Sequence, residues 1–218
     1  MSGVARSMQL VTRIQKSTPP TRTDVCAAHA VATVTLLNDH RAQPGGPWHE
    51  QVTAWTDIAI HKHSRRGHPT AFRRASSEPG VTVTVGTATV RALVPGPVHD
   101  LPRSISRLQL AETELVDPDS NQVAIALPNG PVIISINPTS HLPIGKAAVA
   151  AGHAAQVALH TMSKQRLAAW ARKGYPVDIE HPAPTRWAAM SRSAPVSIRD
   201  AGFTVDKPGT ATAMARWA

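Results

Sequence analysis

The sequence predicts an α/β protein made of two tandem small α/β sandwich domains, each a mostly parallel mixed sheet of about four strands flanked by helices. Three observations carry that expectation. The chain repeats itself, each repeat alternates strand-like and helix-like runs, and hydrophobic residues make up 42% of the 218, enough for a core. The repeat has two registers. At an offset of 124, Pro19 falls on Pro143, Arg22 on Lys146, Val25 on Val149 and His29 on His153. At an offset of 115, residues 51–90 lie on 166–205 without a gap, with Trp55 on Trp170 and eight identities in 40. The registers differ by 9 residues, and the Gly- and Pro-rich stretch 38–47 has the composition of a loop insertion.

Each repeat reads in the same order. A β-branched run (residues 10–14; 132–136) suits a buried strand. A proline-containing turn follows, then an alanine-rich helix (24–37; 147–162) carrying the shared histidine. A second helix holds the tryptophan (49–60; 163–173), and Gly174 fits its end. A third short helix (70–77; 185–193) leads to a strand (81–85; 196–199), and a last strand closes the repeat (87–93; 210–214). The domains expected are 1–112 and 122–218, joined by a linker at 113–121.

Charge points to an anionic partner. Lys and Arg number 23 against 14 Asp and Glu, a formal net charge of +9. Only eight aromatic residues are present, so phosphate contact is favoured over base stacking. A basic tract, residues 61–74, supplies Lys62, Arg65, Arg66, Arg73 and Arg74 with no acid between them. It reads equally as a phosphate grip and as a solvated loop and helix face. His61, His63 and His68 lack an accompanying Cys or carboxylate at ligand spacing, so no metal site is expected. The one cysteine, Cys26, cannot form an internal bridge. The longest apolar run, 147–159, falls short of the roughly 20 residues a membrane span needs. No leader-like run opens the chain. A cytoplasmic protein without membrane partners is the expectation.

The repeats differ where chemistry would sit. Lys146 and His153 are seven apart, close to two helical turns, and share one helix face. A lysine in the first turn aims at the space before the strand ends, where open α/β sheets bind ligands. Asp200, Thr204 and Thr212 fall on a late segment whose Gly202 and Pro208-Gly209 mark turns. Taken alone, that segment reads as a hairpin whose aspartate satisfies turn amides.

In combination the residues say more. Gly145-Lys146, the histidine seven residues on, and Asp-Ala-Gly-Phe-Thr-x3-Pro-Gly-Thr-x-Thr from Asp200 to Thr212 closely resemble the type II peptidyl-tRNA hydrolases. The resemblance covers about residues 132–214, with Ala150 where that family often has glutamine and Ala151-Gly152 where Cys-Ser is common. The first repeat looks like a degenerate copy, with Arg22 in place of the lysine and no counterpart of Asp200. The resemblance implies an ester hydrolase acting on peptidyl-tRNA without a cofactor, with Lys146, His153, Asp200, Thr204 and Thr212 as its site. Asp200 would accept a proton from the attacking water or orient it through Thr204, and Lys146 would bind a phosphate or oppose the oxyanion. His153 would shuttle a proton or support the site; acid and base stay unassigned. The alternative is a non-catalytic RNA-binding protein that retains the fold. The family commonly pairs into homodimers, so an intramolecular pseudo-dimer or a homodimer is implied. In the former, residues 101–110 would supply the closing helix that the second repeat lacks.

Overall fold

The computed structural model describes residues 4–111, 114–117, 126–199 and 207–218. The first unit runs β1 (Arg6–Arg13), α1 (Arg22–Leu37), a 3-10 turn (His40–Ala42), α2 (His49–Thr56), β2 (Lys62–Gly67), α3 (Pro69–Ala75), β3 (Gly80–Val85) and β4 (Ala88–Leu93). Three short pieces follow: β5 (Gly96–Pro97), α4 (Arg103–Ser106) and β6 (Gln109–Leu110). The second unit runs β7 (Val132–Ile136), α5 (Ile144–Thr161), α6 (Lys164–Arg172), β8 (Val177–Glu180), α7 (Pro184–Met190), β9 (Val196–Arg199) and β10 (Ala211–Arg216).

The two sheets share one topology. The first has the order β3-β4-β1-β2-β6, with β5 against β1, and the second has β8-β7-β10-β9. In each, the opening strand pairs in parallel with the strand after the tryptophan helix and antiparallel with the last strand, which pairs antiparallel with its predecessor. The α/β class of the sequence reading holds. Its pairing is more antiparallel than expected, because the last two strands of each repeat form a hairpin and leave one parallel pair per sheet.

β2 and β8 lie where the sequence suggested only helix and loop. Residues 62–67 read Lys-His-Ser-Arg-Arg-Gly, a run without a β-branched or aromatic residue. Pairing with β1 on one side and β6 on the other makes it a strand nonetheless.

Helices α1 and α5 pack against each other, and each also meets the other unit's sheet: α1 touches β8, and α5 touches β2. This explains their composition. Residues 25–34 of α1 are buried without interruption, as are most of α5, so neither helix needs a polar face. Thr21 caps α1 by accepting from the Asp24 amide at 3.1 Å. The helices lie close at Gly152, where a Cβ would stand 3.0 Å from Thr33 Oγ1 and 3.5 Å from Lys62 Cδ.

The segment 101–110 does not close the second unit. It forms α4 and β6 on its own sheet, where buried Ile105 joins Val11, Phe72, Ala75 and Leu93. Those apolar residues, all from the first unit, are what hold it there. Of the linker 113–121, residues 114–117 are described; Asp117 accepts from the Thr23 amide at 2.7 Å and the Thr23 hydroxyl at 2.9 Å. The rest of that linker lies outside the described residues. Among the described residues no helix is long and apolar enough to cross a membrane.

Candidate functional site

The second sheet brings three motif-bearing segments to one end. Asn137, just past β7, donates its backbone amide to Thr212 O at 3.0 Å and its side-chain Nδ2 to Ala211 O at 2.7 Å, locking the end of β7 to the start of β10. Arg199, the last residue of β9, pairs with Ala211, and its Nη1 donates to Gly209 O at 2.9 Å. That glycine holds φ +87°, a conformation that suits the Pro208-Gly209 turn. α5 begins seven residues beyond Asn137 and carries Lys146, exposed, in its first turn. Lys146, Arg199 and Lys207 thus give this end exposed positive charge.

The expected site residues divide. Thr212 is buried and its hydroxyl donates to Ile198 O at 3.3 Å, so it braces β10 against β9. Asp200 and Thr204 lie outside the described residues. His153 sits seven residues along α5 from Lys146, roughly 10 Å along the axis, and turns toward the first unit. Its Nδ1 lies 3.2 Å from Lys62 Nζ. Burial, with Lys62 and then His61 nearby, holds this imidazole well below the usual histidine range.

Lys62 departs from its expected place in a phosphate-gripping surface. It is 5% exposed. Its Nζ donates to Gln156 Oε1 and to Ile60 O at 3.4 Å, and lies 4.9 Å from the centre of the Trp55 ring. Burial pushes its pKa well below the ordinary lysine value. Strand alternation points Lys62 and Ser64 inward toward the two helices. Arg65 is half-buried, donating from Nε to Gln9 Oε1 at 2.6 Å and from Nη1 to Leu108 O at 2.7 Å. Arg66 grips Gln109 Oε1 from Nε at 3.1 Å. Arg73 and Arg74, at the end of α3, are exposed.

Beside them stand two arginines that sequence reasoning missed. α3 packs against α4, and α4 with its C-cap presents exposed Arg103 and Arg107. The spacing of four is the available signal, masked by the expectation that residues 101–110 pack as a helix on the second unit.

The first unit closes its own matching end. Asp24 Oδ2 accepts from the Thr87 amide at 2.8 Å and the Thr87 hydroxyl at 2.6 Å. Arg22, which aligns with Lys146, donates to Leu142 O at 2.7 Å and lies 3.6 Å from Glu114. His29 is fully buried, with Nδ1 at 2.9 Å from Val25 O and Nε2 at 3.0 Å from Ser64 Oγ. The carbonyl requires a proton on Nδ1, and burial lowers the pKa to about 4. Cys26 is fully buried too, and burial pushes its thiol up to about 12.

A buried carboxylate of the second unit also escaped sequence reading. Glu180 accepts from Arg216 Nη1 and Arg186 Nε, each at 2.7 Å, and from Ser135 Oγ at 3.2 Å. It is 3% exposed and fully engaged, which makes it a clamp across β7, β8, β10 and α7. Comparison of the chain with family models, with curated proteins and with solved structures finds no match.

Proposed function

We propose that the chain hydrolyses the ester bond of peptidyl-tRNA, releasing tRNA and peptide, with the second unit carrying the site. The observation that supports this most is convergence. Asn137, at the head of the loop that leads to Gly145-Lys146, is bonded to Ala211 and Thr212 at the start of β10, although the two segments lie more than 60 residues apart in sequence. An ester needs no covalent nucleophile; a positioned water suffices, given a base and a cation to oppose the oxyanion. Asp200 is the motif's carboxylate and Lys146 the exposed cation. Arg73, Arg74, Arg103 and Arg107, four exposed cations on adjoining helices, fit the phosphates of a tRNA arm.

One observation favours the second reading, an RNA-binding protein without turnover. Gly145 donates its amide to Ala111 O at 2.9 Å, and a Cβ there would stand 2.3 Å from that oxygen. The first unit thus covers the opening amide of α5, which would otherwise serve a phosphate or an oxyanion. Incubating the full chain with tRNA bearing a labelled N-acetyl-aminoacyl group separates the two. Release of the label above the spontaneous rate supports the hydrolase. Binding of tRNA without release supports the second reading.

A further inference from the structure

The contact between Lys62 and His153 joins two basic groups from different units. Lys62 Nζ has three polar neighbours: Gln156 Oε1, Ile60 O and His153 Nδ1. The first two are oxygens that only accept, so Nζ donates to both. A single tetrahedral position then faces Nδ1 across 3.2 Å. If Lys62 is an ammonium, that position is an N–H and Nδ1 must be unprotonated. If Lys62 is an amine, it is a lone pair and Nδ1 can carry the proton. Protonating both would set two N–H groups against each other with no acceptor between them. Among the described residues no carboxylate lies within ion-pair distance of Nζ to offset a second charge.

We propose that Lys62 of the first unit is the positioning residue for His153 of the second, fixing the imidazole through Nδ1 and confining the facing nitrogens to one shared proton. The surroundings serve this arrangement. The Trp55 ring covers Nζ, and the lysine stem passes Gly152, where even a Cβ would stand 3.5 Å from Cδ. Of the other titratable groups, His61 adjoins the pair at the surface and adds like charge. His29, on α1, is turned away toward Val25 O and Ser64. Burial lowers the proton affinity of both partners, in keeping with a pair that shares one proton. The second unit's histidine is in this sense completed by the first, which gives the fused repeat a chemical role.

Any consequence for ester cleavage rests on the proposed hydrolase function; the coupling itself does not. The test is an NMR titration of the histidine rings in the full chain, with His29 as internal control. In the wild type, His153 should titrate below about 6.5, the ordinary value. A midpoint at or above that value overturns the proposal without recourse to any variant. In Lys62→Met, which keeps the stem, and in Lys62→Gln, the His153 midpoint should rise by about one unit or more, a tenfold gain in proton affinity. His29 should stay near 4. An unmoved His153 beside an unmoved His29 refutes the coupling. If the chain also releases peptide from tRNA, the acid limb of its pH profile should move upward in Lys62→Met. Absence of release in the wild type would sink the hydrolase reading and leave the titration result standing.

Discussion

The contact between α1 and α5 sets a sharp test at Gly152. Replacing it with alanine adds one carbon where Thr33 Oγ1 lies 3.0 Å away. The threonine is not free to swing aside, because its hydroxyl donates to His29 O at 2.8 Å. Breaking that bond would cost about 1 kcal/mol, and alanine gains about 1 kcal/mol of helix propensity over glycine. The two nearly cancel, so Gly152→Ala should leave stability close to unchanged. Gly152→Val adds γ-carbons that must enter the α1–α5 contact, where overpacking costs about 1–3 kcal/mol. For a chain of this size each kcal/mol moves Tm by about 2–4 °C. Calorimetry of both variants should therefore leave alanine near wild type and drop valine by several degrees. Equal melting of the two would mean that the helices are not packed at Gly152 as described, and would refute the argument.

Other outcomes follow from the same geometry. His29 is held at about 4 in the fold against about 6.5 unfolded, so the unfolded chain binds the extra proton. Its contribution, about 3 kcal/mol, should be present above pH 6.5 and drain away as pH falls toward 4. Urea titrations at pH 7 and pH 4.5 should show a smaller loss in His29→Gln than in wild type. An identical pH dependence would remove His29 as the cause. Replacing Arg73, Arg74, Arg103 and Arg107 with serine should weaken tRNA binding and flatten its salt dependence. The slope should change by roughly 0.9 for each duplex phosphate that the protein ceases to neutralise. An unchanged slope would show that this face does not meet RNA.

What the sequence revealed follows from what each element depends on. β1, β7, α1 and α5 were legible because β-branched runs and alanine-rich stretches report burial directly, whichever neighbour supplies it. β2 was not, since its six residues are strand only by virtue of β1 and β6. Lys62 was misplaced for the same reason: its burial is created by α5, some 90 residues later in the chain. The place of Lys146 in the first turn of α5 and of Thr212 on the last strand was legible in the alternation of strands and helices. The turn of His153 toward Lys62 was not, because helical spacing sets a shared face and not the partner that meets it. Arg103 and Arg107 stayed hidden because only the fold lays α4 beside α3.

The chemistry proposed for the second unit is cleavage of an ester by water activated at the motif's carboxylate. Asp200 lies outside the described residues, so the decisive measurement is chemical. Single-turnover release of a labelled N-acetyl-aminoacyl group from tRNA should be compared between wild type and Asp200→Asn, with tRNA affinity measured alongside. Loss of a positioned base costs about 10²–10⁴-fold in rate. The variant should therefore fall by at least about 100-fold while binding tRNA as wild type does. Equal release by both proteins, or no release by either, would contradict the account.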